Sequence, residues 1–201
     1  YTTLFRSHFD WNDSTSWSAA LNGIDAIYLT YYPDLAIPKA PEDISQFCGL
    51  AKIKGIKHIT LLSGRAEPAA QVCENIIQQS GISWTVVRAS WFNQNFSEGL
   101  FNQFIRDRRI ALPVDEVTEP FIDIDDIAEL VVASLTDDKH RGQLYEVTGP
   151  ELLNFKEIAA KFSNHLNAEV EFASISMPAF QADLEGRGVP EDAIERSEEH
   201  T

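Results

Sequence analysis

The fold is decided by the stretch HITLLSGRAEPAAQVCENIIQQSGISWTVVR, residues 58–88. Its two ends, residues 58–62 and 84–88, are short apolar segments rich in β-branched residues, which is typical of strands that are covered on both faces. Between them lies one apolar helical face, which consists of Ala69, Cys73, Ile76, Ile77 and Ser80. Gly81 then ends the predicted helix. A strand, a crossover helix and a second strand predict two parallel strands.

The same alternation continues on both sides of this unit. Further strands are predicted at residues 4–9, 25–30, 143–147 and 169–173, and further helices at residues 16–21, 124–135 and 154–166. One crossover helix is also predicted between the strands at 25–30 and 58–62. Asp123 or Asp125 is placed to cap the helix at 124, and Asn154 with Glu157 resembles a capping box. The sequence therefore predicts an α/β fold with a parallel sheet.

Composition and charge restrict the possible partners. The chain has 201 residues, with 31 acidic and 16 basic side chains and a formal net charge of −15. Such a surface repels phosphate backbones and anionic lipids, so we expect neither nucleic acid nor a membrane as a partner. Two cysteines are too few for a disulfide framework, and the five histidines lack metal-ligand spacing. With no apolar span and no leader, we expect a cytoplasmic protein without a metal that takes a small-molecule substrate.

Ligands of open parallel sheets bind beyond the carboxyl ends of the strands. Three segments occupy those ends, at residues 30–33, 63–65 and 89–96. The third combines two aromatic side chains with three amides, which suits a flat heteroaromatic ligand that carries a carboxamide. A structural interpretation stays open, in which Trp91 and Phe92 cover the sheet end while the amides cap a helix.

Ser63 allows a second interpretation. A serine that ends a strand and precedes a helix resembles a hydrolase nucleophile, and Asp123 and His140 follow in the chain order of a catalytic triad. However, that turn needs small residues two positions before and after the serine, where this sequence has Leu61 and Arg65. The hydrolase interpretation is therefore the weaker one.

Three motifs together resemble a known family, namely Trp91-Phe92-x-Gln94-Asn95, residues 121–128 and residues 145–150. With the order of the strands, they resemble the NmrA-like, atypical short-chain dehydrogenases/reductases over residues 5–175. Residues 91–98 and 149–153 are most similar to the festuclavine/agroclavine dehydrogenase-like branch and its bacterial relatives. The resemblance implies a Rossmann-type doubly wound parallel sheet, a small C-terminal α+β substrate region, and NADP or NAD as the cofactor.

The sequence departs from this family in two places. The family's glycine-rich phosphate loop has no counterpart here, so we expect an N-terminal truncation in which the first βαβ portion, about 40–50 residues, is missing. Ala66 and Ala70 stand where the Tyr-x-x-x-Lys pair of typical members is expected. The resemblance divides the chain into the remainder of the NAD(P)-binding region (1–92), a substrate-side lobe (93–195) and a tail that does not look native (196–201).

The resemblance also implies the site residues. Those expected to bind the cofactor are Asp10, Trp11, Thr30, Tyr31, Tyr32 and Ser63. Those expected to bind the substrate are Trp91, Phe92, Asn93 and Asn95. No residue is assigned to catalysis. Two functions stay open: an NAD(P)-dependent oxidoreductase that transfers hydride to a small organic acceptor such as an imine or a quinone, and a non-catalytic NAD(P) redox sensor that acts through a protein partner.

Overall fold

The computed structural model describes residues 7–189, apart from the side chains of residues 99 and 100. The tail at residues 196–201 and the first half of the strand predicted at residues 4–9 lie outside the described residues. The described half, residues 7–9, contains no strand. Asp10, directly after it, forms an isolated β-bridge with Asp13.

Within residues 7–189 the strands are β1 (Ala26–Leu29), β2 (His58–Gly64), β3 (Ser83–Ala89), β4 (Arg109–Leu112), β5 (Thr118–Glu119), β6 (Gln143–Val147), β7 (Leu153–Asn154) and β8 (Glu171–Ser174). The helices are α1 (Trp17–Ala20), α2 (Ala40–Ile53), α3 (Ala70–Gln79), α4 (Gly99–Arg106), α5 (Ile124–Thr136), α6 (Phe155–Leu166) and α7 (Met177–Gly186). The sequence predicts most of these elements, whereas β4, β5, β7, α4 and α7 have no counterpart in the prediction.

The central sheet is parallel and has the strand order β1-β2-β3-β6. Its register places Leu61 opposite Val86 and Ser63 opposite Arg88. Leu61 and Val86 are completely buried in one apolar core with residues of α2 and α3. Gly81 has a φ of +79° and adopts the left-handed conformation that ends α3. The predicted α/β fold with a parallel central sheet is confirmed.

The chain divides into two compact units. Within the described residues, the first unit comprises the chain up to residue 90 together with residues 122–148. The second unit comprises residues 91–121 and the chain from residue 149 onward. The sequence-based division assigns α5 and β6 to the region 93–195, whereas the structure groups both with the first unit. The reason is long-range pairing, because β6 joins the sheet beside β3.

The second unit is built from small sheets and an aromatic core. β4 pairs with β8 in parallel, and β5 pairs with β7 in antiparallel orientation.

The capping box predicted at the start of α6 is confirmed: Asn154 Oδ1 accepts from the Glu157 N–H at 2.8 Å, and Glu157 Oε2 accepts from the Asn154 N–H at 2.9 Å. Of the two caps considered for α5, in the first unit, Asp123 is the one used.

Candidate cofactor and substrate sites

The carboxyl end of β1 gathers five of the residues predicted to bind the cofactor. Trp11 Nε1 donates a hydrogen bond to the Thr30 carbonyl oxygen at 3.1 Å, and the rings of Trp11 and Tyr31 lie 4.7 Å apart between centroids. Tyr32 follows with 80% of its surface exposed. Asp10 precedes Trp11 and is exposed, and its carboxylate accepts a backbone N–H two residues later at 2.9 Å. Thr30 and Tyr32 thus offer accessible surface, while Trp11 positions the segment.

Trp11 is mainly a core residue. Its indole is only 9% exposed because it packs against Trp17 and Phe47, at centroid distances of 5.5 and 5.4 Å. Such packing leaves little indole surface for an adenine ring. The adenine-flanking role of Asp10 and Trp11 stays a prediction.

Tyr31 is held in place by its hydroxyl group. The hydroxyl donates to Asp43 Oδ2 at 2.7 Å, and the same oxygen lies 3.3 Å from Lys39 Nζ. Burial raises the pKa of Tyr31 far above its ordinary value, and the hydrogen bond to Asp43 adds to the effect. The phenol therefore keeps its proton at neutral pH, which makes Tyr31 a poor proton-transfer group.

Ser63, near the carboxyl end of β2, is tied to a buried ion pair. The Ser63 hydroxyl donates to Glu74 Oε1 at 2.6 Å. Glu74, on α3, is 2% exposed and is held by Arg88 of β3, whose Nε and Nη2 lie 2.9 and 2.7 Å from its two oxygens. Arg88 also contacts Glu146 at 3.3 Å, on the more exposed side of the cluster. Ser63 is itself only 5% exposed, and its predicted place beside the nicotinamide stays a prediction.

Ser90 is a residue whose role the sequence does not reveal. It directly follows β3 and is 2% exposed, and its backbone N–H donates to the Val147 carbonyl at 3.1 Å. Within the described residues its buried hydroxyl has no hydrogen-bond partner. Because buried hydroxyl groups are nearly always paired, an unpaired one at a strand end marks a place for a polar ligand atom or a water molecule.

Trp91 begins the second unit and belongs to an aromatic cluster. Its ring stacks on Phe101 at 5.4 Å and meets the rings of Phe121 and Phe155 at 6.3 and 6.2 Å. Its backbone N–H donates to Glu119 Oε1 at 3.3 Å. These contacts support the structural interpretation for Trp91, without testing whether one edge of the indole also meets a ligand.

The other predicted substrate residues are more accessible. Phe92 and Asn95 are partly buried and Asn93 is exposed, and both asparagines belong to a 3₁₀ turn, Asn93–Phe96. The N-caps of this turn and of α4 carry no side-chain hydrogen bond. Neither asparagine therefore caps the turn or α4.

A groove of about 400 Å³ lies within the second unit. It is mainly apolar, with polar groups at its rim, and its lining residues are Asn93, Phe96, Phe121, Leu153, Ile158, Lys161, Phe162 and His165. Of the four predicted substrate residues, Asn93 is the one found in this lining. The sequence analysis does not predict that α6 lines this groove, although residues 158, 161, 162 and 165 have the spacing of a single helical face.

The two positions considered for a Tyr-x-x-x-Lys pair have structural roles. Ala70 is completely buried at the start of α3, and Ala66 has a φ of +61° in the turn after β2. Within residues 7–189 there is no cluster of histidine, cysteine and acidic side chains that could hold a metal ion. In the same range, no helix has the length and apolar character needed to cross a membrane.

The parallel sheet, its crossover helices and the polar groups at the strand ends define a doubly wound α/β protein. Residues 69–199 match the NmrA-like family, and the chain belongs to that family.

Individual proteins are similar to this chain over most of its length. Prestalk A differentiation protein A of Dictyostelium discoideum is 30% identical over 186 residues, which is 92% of this chain and 62% of that protein. Festuclavine dehydrogenase of Aspergillus fumigatus is 28% identical over 190 residues, 89% of this chain and 64% of the dehydrogenase. The chain thus spans a little under two thirds of these relatives. The NADPH-dependent quinone oxidoreductase of Escherichia coli, solved with NADPH, shares the fold with a TM-score of 0.80 at 18% identity, over 94% of this chain and 68% of the oxidoreductase.

Proposed function

We propose that this protein binds NADP or NAD at the carboxyl ends of β1, β2 and β3 and transfers hydride to a small organic acceptor such as an imine or a quinone. The observation that carries the proposal is the set of polar groups at these strand ends. Thr30 is exposed after β1, Ser63 keeps lone pairs near the end of β2, and Ser90 has a buried unpaired hydroxyl after β3. The names of the dehydrogenase and oxidoreductase relatives support the same chemistry.

The residues at these strand ends fit one half of a dinucleotide. Thr30, Tyr31 and Tyr32 border the ribose, and Ser63 and Ser90 offer hydroxyl groups to the nicotinamide half. The bound nicotinamide supplies the hydride. No residue run in the sequence has the glycine-rich pattern that cradles a pyrophosphate, so these residues account for the nicotinamide half alone.

Positioning is the main contribution of this chain to the reaction. Ala66 and Ala70 cannot exchange protons, and the Tyr31 phenol is held by Asp43. The proton that a reduced acceptor needs therefore comes from an amide or from solvent. We assign Trp91, Phe92, Asn93 and Asn95 to acceptor binding, where rings stack on a flat acceptor and amides orient it.

The test uses protein expressed from its complete coding sequence. NADPH and NADH affinities are measured by fluorescence, and cofactor oxidation is followed with a panel of quinones and imines. Asn95→Ala is expected to weaken acceptor binding or turnover more than thermal stability. Trp91→Ala is expected to weaken acceptor binding and also to lower the melting temperature, because it removes the ring contacts with three phenylalanines. Leu166→Ala, on an exposed part of α6, is the control. A large fall in melting temperature with unchanged affinity and rate would assign Trp91 and Asn95 to structure alone.

A redox sensor is the second candidate, favoured by the alanines at positions 66 and 70. Such a protein binds NADP or NAD without turnover and signals through a protein partner. Tight binding of NADPH together with inertness towards every acceptor supports the sensor. Turnover with any acceptor supports the enzyme. Under either function we propose a cytoplasmic location, consistent with two buried, unbridged cysteines.

A further inference from the structure

The ion pair behind Ser63 determines which way its hydroxyl group points. Glu74 accepts from Arg88 at both carboxylate oxygens, since Nε lies 2.9 Å from Oε1 and Nη2 lies 2.7 Å from Oε2. A proton on either oxygen would face these N–H donors. Glu74 is therefore an ionised carboxylate that only accepts hydrogen bonds.

Ser63 must then be the donor in its contact with Glu74. The distance between Ser63 Oγ and Glu74 Oε1 is 2.6 Å, which is typical of an O–H group donating to a carboxylate. A serine hydroxyl has one proton and two lone pairs. Once the proton is given to Glu74, Ser63 can offer only lone pairs to a ligand.

We propose that Glu74 is a positioning residue that makes Ser63 an obligate hydrogen-bond acceptor, and so selects a ligand that presents an N–H or O–H donor to Ser63. This inference rests on the proposed function, in which the donor is the NH₂ group of the nicotinamide carboxamide. It also excludes Ser63 as the group that donates a hydrogen bond to the oxygen or nitrogen of a hydride acceptor.

A glutamine at position 74 reverses this polarity. Its single carbonyl oxygen is taken by Arg88, so its NH₂ group points to Ser63 and donates to the serine oxygen. The serine proton becomes available to a ligand. Glu146→Gln is the matched control, because it removes the same charge from the other partner of Arg88 and leaves the contact between Ser63 and Glu74 intact.

The experiment compares two dinucleotides by direct binding. One is NADPH or NADH, whichever binds more tightly, and the other is its 3-acetylpyridine analogue, in which a methyl group replaces the carboxamide NH₂. We expect the unmodified protein to favour the carboxamide about 3–10-fold, the range set by one net hydrogen bond. In Glu74→Gln and Ser63→Ala the ratio should fall to about twofold or less, since the donor is no longer required. Glu146→Gln should keep the original ratio.

The outcomes separate this inference from the proposed function. A folded Glu74→Gln protein that keeps the original ratio overturns the role of Glu74. If circular dichroism shows that Glu74→Gln does not fold, Ser63→Ala decides: loss of the preference supports an accepting Ser63, and an unchanged preference overturns it. An unmodified protein that binds both dinucleotides equally overturns the inference alone. One that binds neither overturns the proposed function and the inference with it.

Discussion

Buried polar groups are paired differently at the two ends of the central sheet. Near the carboxyl ends of β2 and β3, Ser63 and Arg88 converge on the buried Glu74 in a charged cluster. Near the amino ends of the same strands, His58 and Thr85 belong to a network whose members can all be neutral. The same two strands therefore carry a charged cluster at one end and a neutral hydrogen-bond network at the other.

The network at the amino end is centred on His58, which is 3% exposed. Its Nδ1 lies 3.0 Å from Ser83 Oγ, and its Nε2 lies 3.3 Å from the hydroxyl oxygens of Thr60 and Thr85. Thr60 Oγ1 is in turn 2.8 Å from Ser134 Oγ on α5. Backbone carbonyls fix two of the donors, since Thr85 Oγ1 donates to the His140 carbonyl oxygen at 2.7 Å and Ser134 Oγ donates to the Val131 carbonyl oxygen at 2.8 Å. The network is thus held together by hydrogen bonds between groups that can be neutral.

This difference assigns different tasks to the two ends. The buried carboxylate and guanidinium give the Ser63 hydroxyl one direction, and removing either charged partner is expected to cost much stability. A neutral network satisfies buried groups and tolerates the removal of one member. We therefore expect substitutions at the carboxyl end to affect stability strongly and those at the amino end to affect it moderately.

The largest effect is expected for Arg88→Met. It leaves the Glu74 carboxylate buried without its cation, and breaking a buried ion pair in this way costs about 3–5 kcal/mol. The free energy of unfolding in urea measures the loss. The double variant Glu74→Leu/Arg88→Met should recover most of it, because no unpaired charge remains. A loss below about 1 kcal/mol in Arg88→Met would show that solvent already screens the cluster.

His58→Ala should have the next largest effect, and that effect should depend on pH. Removing the imidazole leaves buried hydroxyls without a partner, at a cost of about 1–3 kcal/mol at pH 8. Burial lowers the pKa of His58, the nearby Arg141 adds to the lowering, and Asp138 opposes it. Below pH 6.5 the unfolded state therefore takes up a proton that the folded state resists, so the unmodified protein loses stability as the pH falls.

The His58→Ala variant lacks this proton uptake. The gap in unfolding free energy between the two proteins should consequently be narrower at pH 5.5 than at pH 8. Urea denaturation at both pH values gives the comparison. A gap of constant size would mean that His58 has the same pKa in the folded and unfolded states.

Thr60→Val should have a smaller effect, of about 1 kcal/mol, because it removes a neutral hydrogen bond to Ser134 and a longer contact with His58 Nε2, which Thr85 also approaches at 3.3 Å. Ser134 keeps a partner, since its hydroxyl also lies 2.8 Å from the Val131 carbonyl oxygen. Chemical denaturation of this nearly isosteric variant checks the value. A loss of unfolding free energy as large as that of Arg88→Met would contradict the expectation that the neutral network tolerates the removal of one member.

The smallest effect is expected for Glu146→Gln. The Glu146 side chain is 50% exposed and meets Arg88 at 3.3 Å, and exposed pairs of this kind contribute roughly 0.2–1 kcal/mol. Adding salt should shrink the difference further. The loss of unfolding free energy in this variant is compared with the loss in Arg88→Met. The difference between the two shows how much of the stabilisation by Arg88 comes from its buried partner, Glu74.

Local patterns predicted much of the fold, and long-range pairing determined the rest. The β-branched segments of β2 and β3 and the capping box at Asn154 are encoded by neighbouring residues, and the structure contains each of them. β5 and β7 have two residues each and exist only because they pair with one another, so no local pattern marks them. α5 and β6 look like part of the second region until the register with β3 is known.

The candidate site shows the same division. Ser63 is recognisable from its place near the end of a predicted strand. Its dependence on Glu74 is not, because it requires the register that sets Ser63 opposite Arg88 and the rotation of α3 that buries a glutamate. Ser90 could not be predicted either, because its buried hydroxyl without a partner is recognised only once the surrounding packing is known.

The first unit consists of two separate parts of the chain, and this order matters while the protein is synthesised on the ribosome. β3 ends at Ala89, but the strand that covers its outer edge begins only at Gln143, after residues of the second unit. At about 5–20 residues per second, translation needs roughly 3–10 s to produce that partner. During this interval a growing chain presents the unpaired edge of an apolar strand, which is a template for association with other chains. The period in which this protein most needs a chaperone is therefore set by the order of its elements, and it ends when β6 emerges.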